Sequence, residues 1–203
     1  MPAQHSVHFF LHWAKERLDE MDAVLASLES EAAKTQADTR IKADQFIANL
    51  KQKRDEFENT VQKLTEGGAA AWESTKVRLE DEWKIYEAAI NKYLESFSKG
   101  MEQQRAVFQS QATAQLNAWR DSADKLNAAS REFATERRRE IDTTVSRMKS
   151  DAAAAEEKLQ KLARAGTESW SALNAALAET RTVFDRANQA AREAFKRATN
   201  SAQ

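Results

Sequence analysis

The chain has 203 residues, of which 41% are hydrophobic and 31% charged, and its net charge is -1. That apolar share is low for one compact core, and the even balance of 31 basic and 32 acidic side chains gives no general attraction to nucleic acid. The absence of cysteine removes disulfides, thiolate catalysis and cysteine-ligated zinc together.

One proline and four glycines leave little turn chemistry, so long helices are expected and strands are not. The predicted fold class is all-α: an elongated antiparallel coiled coil, or helical-hairpin rod, of two to three long helices forming a single unit over residues 1–203. No stretch approaches the roughly 20 apolar residues of a membrane span. No basic residue precedes the short apolar run from Val7 to Leu11 and no small-residue cleavage site follows it, so a cytoplasmic location is expected, peripheral at a membrane if lipid is bound.

From Val7 the apolar positions step by threes and fours through Leu11, Ala14, Leu18, Met21, Leu25, Leu28 and Ala32, which is a coiled-coil seam. The seam turns polar between Thr35 and Ala43 and resumes through Phe46, Leu50, Phe57, Val61 and Leu64. One helix over residues 6–65 with a stutter in its middle is the expectation. Gly67 and Gly68 then mark a reversal over 66–69.

A long helix over residues 69–165 is expected next. Tyr86, Phe97, Phe108 and Trp119 recur every eleven residues along it, a period that returns to one face after three turns. At about 97 residues it would reach about 145 Å, with the first and last helices folded back along it. Gly100 offers a bend, and a competing division breaks this helix at 127–130, where no Gly or Pro stands. Gly166 can end it in the left-handed conformation, and a last helix over 168–200 repeats at eleven through Leu173, Phe184 and Phe195.

Residues flanking the glycine pair resemble a family of small bacterial coiled-coil proteins labelled as stress-response proteins. The resemblance rests on Lys53-Arg54-Asp55-Glu56, Leu64, Gly68, Ala71-Trp72-Glu73, Lys76, Glu80 and Trp83, and covers about residues 20–97. It implies a helical hairpin and no defined activity. In period alone the 11-residue repeats are similar to those of exchangeable apolipoproteins, whose periodic prolines are missing here.

Residues 1–14 carry no charged side chain. On a helical wheel Val7, Phe10, Leu11, Ala14 and Leu18 share the seam, whereas Phe9 and Trp13 fall on the opposite side and need a second contact, from protein or from the interfacial zone of a bilayer. In the C-terminal segment Arg181, Arg186, Arg192, Lys196 and Arg197 accompany Phe184 and Phe195 on a basic amphipathic helix suited to an anionic surface. Candidate partner or lipid contacts are therefore Phe9, Phe10, Leu11, Trp13, Arg181, Phe184, Arg192, Phe195, Lys196 and Arg197.

His5, His8 and His12 share one side of a helix, but no carboxylate lies among them; they are read as solvated or partner-facing rather than as metal ligands. The run Arg137-Arg138-Arg139 is read as locally ion-paired, since acidic residues surround it at helical spacing. No Glu-x-x-His pair or phosphate-cradling glycine loop is present, and the five tryptophans read as packing anchors. No catalytic residue, cofactor or metal is expected. The chain is expected to be a non-enzymatic, self-associating coiled-coil scaffold, with a peripheral membrane or lipid-surface protein as the alternative.

Overall fold

The computed structural model describes residues 2–34, 36–67, 72–97, 101–166 and 168–200, with side chains apart from those of 2–8, 37–39, 67, 72, 73, 96, 97, 101 and 137. The described residues are all-α, in six helices: α1 (Pro2–Ala32), α2 (Ala37–Gly67), α3 (Trp72–Phe97), α4 (Met101–Ser130), α5 (Thr135–Ala165) and α6 (Trp170–Asn200). Each holds 26 to 31 residues, so each is about 45 Å long or slightly less. The expected rod of two to three long helices is corrected to six helices of nearly equal length.

The extra breaks have a common physical reason. A solvated two-helix rod leaves much of each helix's apolar surface half-covered, whereas folding back at intervals of about 30 residues lets every seam meet two or three others. The polar stretch after Ala32 is thus a helix end rather than a stutter. Its turn is closed by Ala33 N–H to Glu29 O at 3.1 Å and Lys34 N–H to Glu31 O at 3.1 Å.

The break after Ser130 falls next to the competing division at 127–130, in place of a continuous helix from 69 to 165. A side chain does the work that glycine does elsewhere: Ser130 Oγ donates to Asn127 O at 2.9 Å and lies 2.9 Å from Asp142 of the next helix. Gly166 ends α5 with φ 74° in the left-handed region, as its position predicted. The stretch at Gly100 and residues 68 and 69 of the expected turn at 66–69 lie outside the described residues, α2 running on to Gly67.

Neighbouring helices alternate in direction. Asp22 meets Arg54, and Phe46 stacks on Tyr93, so α1, α2 and α3 run up, down and up. Arg120 meets Glu156, and Lys158 meets Glu179, so α4, α5 and α6 alternate likewise. They run down, up and down, because Glu20 of α1 meets Gln115 and Arg181 whereas Phe9 meets Asn188 and Phe195. The two three-helix units join along α1 and α4, with α6 against both. One core is lined by α1, α2, α3 and the first half of α4, with Leu159 of α5 and Trp170, Leu173 and Leu177 from the first half of α6. A second, around Trp119, Phe184 and Phe195, lies between α4, α5 and α6, and Phe9 reaches into it from α1.

The 11-residue pattern marks core positions: Tyr86, Phe108 and Trp119 are fully buried, and Leu173, Phe184 and Phe195 on α6 are buried. Trp83, Trp119 and Trp170 are buried and Trp13 is half-buried, so these four pack as anchors. The side chains of Phe97 and Trp72 lie outside the described residues.

Candidate functional site

Where α1, α3, α4 and α6 converge, the apolar core gives way to charge. Glu16 and Arg17, and Glu20 one turn later on α1, are buried, as is Arg181 on α6. Two of these positions follow from helical spacing. Arg181 lies four residues after Leu177 and three before Phe184, within the apolar stripe of α6. Glu20 lies eleven residues after Phe9 and seven after Trp13, on the side of α1 opposite its seam.

Arg181 Nε lies 2.9 and 3.1 Å from the two oxygens of Glu20, and its Nη2 lies 3.0 Å from Oε2. Its Nη1 donates to Glu87 of α3 at 2.5 Å. From α4, Gln115 Nε2 donates to Glu20 Oε1 at 3.0 Å and Gln111 Nε2 reaches Oε2 at 3.5 Å. Arg17 donates to Asp185 of α6 at 3.0 Å and to Glu16 Oε2. Both guanidinium groups lie over the Trp83 ring, at 5.0 Å for Arg181 and 5.4 Å for Arg17, so the indole face attracts the two cations that the carboxylates also hold.

Four carboxyl groups thus surround two guanidinium groups, and burial acts unequally on Glu16, Glu20 and Asp185. Burial pushes the Glu16 carboxyl well above the ordinary range, and the neighbouring Glu20 outlasts part of the relief that Arg17 supplies. Burial acts on Glu20 too, but Arg181 and the hydrogen bonds from Glu16 and Arg181 more than offset it and leave Glu20 below the ordinary range. Half-buried Asp185 is raised by desolvation against the opposing pull of Arg17. Glu16 Oε1 is sealed from solvent and accepts no hydrogen bond among the described residues.

The residues singled out in the sequence come together only in part. Phe9, Phe10, Trp13 and Arg192 line one cleft of about 190 Å³ between α1, α3 and α6. Phe9 packs edge-on against Phe195 at 5.5 Å, while Trp13 stacks on Phe10 at 4.8 Å and reaches Phe57 at 6.2 Å. The second contact that Phe9 and Trp13 require is therefore supplied within the chain, because α6 and α2 cover faces of α1 that a single coiled-coil partner cannot. Leu11 is half-buried against the larger core. Phe184 is buried edge-on to Trp119 at 5.5 Å.

Arg181, expected on a basic outer face, sits instead in the interior with Glu20 and Glu87. Arg197 is exposed and paired with Glu140 at 2.5 Å, and Lys196 is exposed. Arg138 pairs with Asp142 at 3.1 Å, the local pairing read for its run. His12, expected in solvent or at a partner, is buried 6.1 Å from the Phe9 ring, whereas the side chains of His5 and His8 lie outside the described residues. Among the described residues no group of three or more His, Cys, Asp or Glu side chains is placed to hold a metal.

Glu16, Arg17, Glu20, Glu87 and Asp185 were absent from the sequence candidates. The available signal was a charged residue inside an apolar stripe, at Arg181, and a second buried face on α1 that Phe9 and Trp13 announced. Comparisons with protein-family models, curated proteins and solved structures found no match.

Proposed function

We propose that this protein is a non-enzymatic lipid-surface protein: a closed bundle of amphipathic helices that opens and lays its apolar faces on an anionic bilayer interface. The observation that carries this reading is the composition of the bundle's centre. Six helices contribute one apolar face each, and the place where four of them meet is occupied by Glu16, Arg17, Glu20, Glu87, Arg181 and Asp185.

Each helix satisfies its backbone hydrogen bonds internally, so separating helices costs none of them. Apolar area leaving the core for an acyl boundary stays out of water, while the buried ions regain hydration on the polar side. Arg186 and Lys196 are already exposed on α6 and suit an anionic headgroup layer. No helix of the described residues is long and apolar enough to cross a membrane, which limits the contact to the interface.

Co-sedimentation with anionic and neutral vesicles at low and moderate salt tests the proposal. The expected result is salt-sensitive binding to the anionic vesicles, with far-ultraviolet circular dichroism keeping its helical signal while the near-ultraviolet signal of packed aromatics is lost. Failure to bind either vesicle overturns it.

A self-associating scaffold, with a link to stress response as in the family that residues 20–97 resemble, is the second reading. It is favoured by Val77 and Ile85, which are 57% and 54% exposed eight residues apart on α3. Light scattering across a concentration series decides this one: a mass that stays at one chain removes it.

A further inference from the structure

We propose that Glu16 and Glu20 hold one proton between them in the closed bundle, and that releasing this proton is coupled to the separation of α1 from α6, so that the core is a pH-sensitive latch. The inference rests on the closed geometry and stands whether or not the opened bundle meets lipid.

Glu16 and Glu20 are four residues apart on α1, on one face of the helix, and are 1% and 0% exposed. The groups facing the pair are His12 and Arg17 on α1, Arg181 and Asp185 from α6, Glu87 from α3 through its bond to Arg181, and the neutral amides of Gln111 and Gln115 from α4. Arg181 is taken up by Glu20 and Glu87, and the two terminal nitrogens of Arg17 by Asp185 and one oxygen of Glu16, while Arg17 Nε is buried without a hydrogen-bond partner among the described residues. No donor among the described residues reaches Glu16 Oε1, which is sealed from solvent.

An ionised Glu16 would therefore bury a second carboxylate beside Glu20 with one oxygen bare, at the cost of an unpaired buried charge. Protonated, Glu16 donates to the neighbouring Glu20 carboxylate instead, which satisfies both groups. Burial and Glu20 hold the Glu16 carboxyl well above its ordinary range, in agreement with that arrangement.

The sign follows from linkage. The closed bundle keeps the proton where an open, hydrated Glu16 has lost it, so opening releases a proton and is favoured as pH rises from the ordinary carboxylate range to Glu16's own raised value. Asp185, also raised, acts in the same direction. Glu20, lowered, has the opposite sign, but it titrates below the ordinary range and contributes a constant above it.

Urea unfolding of the full chain between about pH 5 and pH 8 measures the effect: the unfolding constant of the wild type is expected to rise with pH, the Glu16 proton alone contributing up to about tenfold per pH unit. In Glu16→Gln, whose amide still donates to Glu20, the dependence falls by one proton. Equal pH dependence in the two proteins overturns the proposal. Infrared spectroscopy of the unsubstituted protein provides a measurement that needs no variant to fold. A carboxylic-acid carbonyl band that persists at neutral pH is expected, and its absence overturns the shared proton directly.

Discussion

Arg181 and Glu20 meet across 161 residues of sequence, with three nitrogen–oxygen distances between 2.9 and 3.1 Å and both side chains sealed from solvent. The pair ties the last helix to the first, and α3 and α4 brace it through Glu87 and Gln115. Removing one member leaves the other as a bare buried charge. Arg181→Met should therefore destabilise the fold by about 3–5 kcal/mol, and combining it with Glu20→Met should cost clearly less than the two single changes added together. A urea double-mutant cycle measures both quantities. Additivity would mean that the two residues do not act as a pair.

Phe195 and Lys196 are chain neighbours with opposite surroundings. Phe195 is 3% exposed and touches Phe9 at 5.5 Å and Phe133 at 5.7 Å, which closes the end of the bundle. Phe195→Ala is expected to cost about 3–5 kcal/mol. Lys196→Ala, at an exposed position, should stay within about 0.5 kcal/mol of the wild type. Thermal unfolding of the two variants side by side checks the contrast.

Gly166 has φ 74°, and its carbonyl accepts a 2.6 Å hydrogen bond from Arg105 Nη2. A Cβ there would take a conformation that costs an L-residue about 1–2 kcal/mol. It would also stand 3.1 Å from the end of the Arg105 side chain. Gly166→Ala should lower stability by about that strain, with little added from the flexible arginine, and Gly166→Asn by less because Asn tolerates the left-handed region. A midpoint unchanged by alanine would mean the α5–α6 turn can reform in another geometry.

Arg186 and Lys196 are exposed on α6. Replacing both by glutamate should weaken binding to anionic vesicles and abolish its salt dependence while leaving the unfolding midpoint within about 0.5 kcal/mol. Retained salt-sensitive binding would place the anionic contact on another face of the bundle.

Much of this molecule is local and could be read in the sequence. Helical periodicity, the stop at Gly166 and the burial of Tyr86, Phe108, Trp119, Leu173, Phe184 and Phe195 follow from spacing alone, because one helix face repeats every eleven residues whatever it packs against. The number of helices did not follow. The breaks after Ala32 and Ser130 have no glycine or proline, and polar residues allow a turn without requiring one.

The sequence by itself determined the class of the protein: all-helical, amphipathic along its whole length, with no cysteine and, among the described residues, no span for a membrane. Only the tertiary structure decided where the charges go. Glu16, Arg17 and Glu20 look like an ordinary solvated run on α1, and Arg181 like one cation of a basic face, until α3, α4 and α6 close around them. The physical reason is range: apolar periodicity is set within a few turns of one helix, whereas the desolvation and pairing of an ion depend on groups 161 residues away.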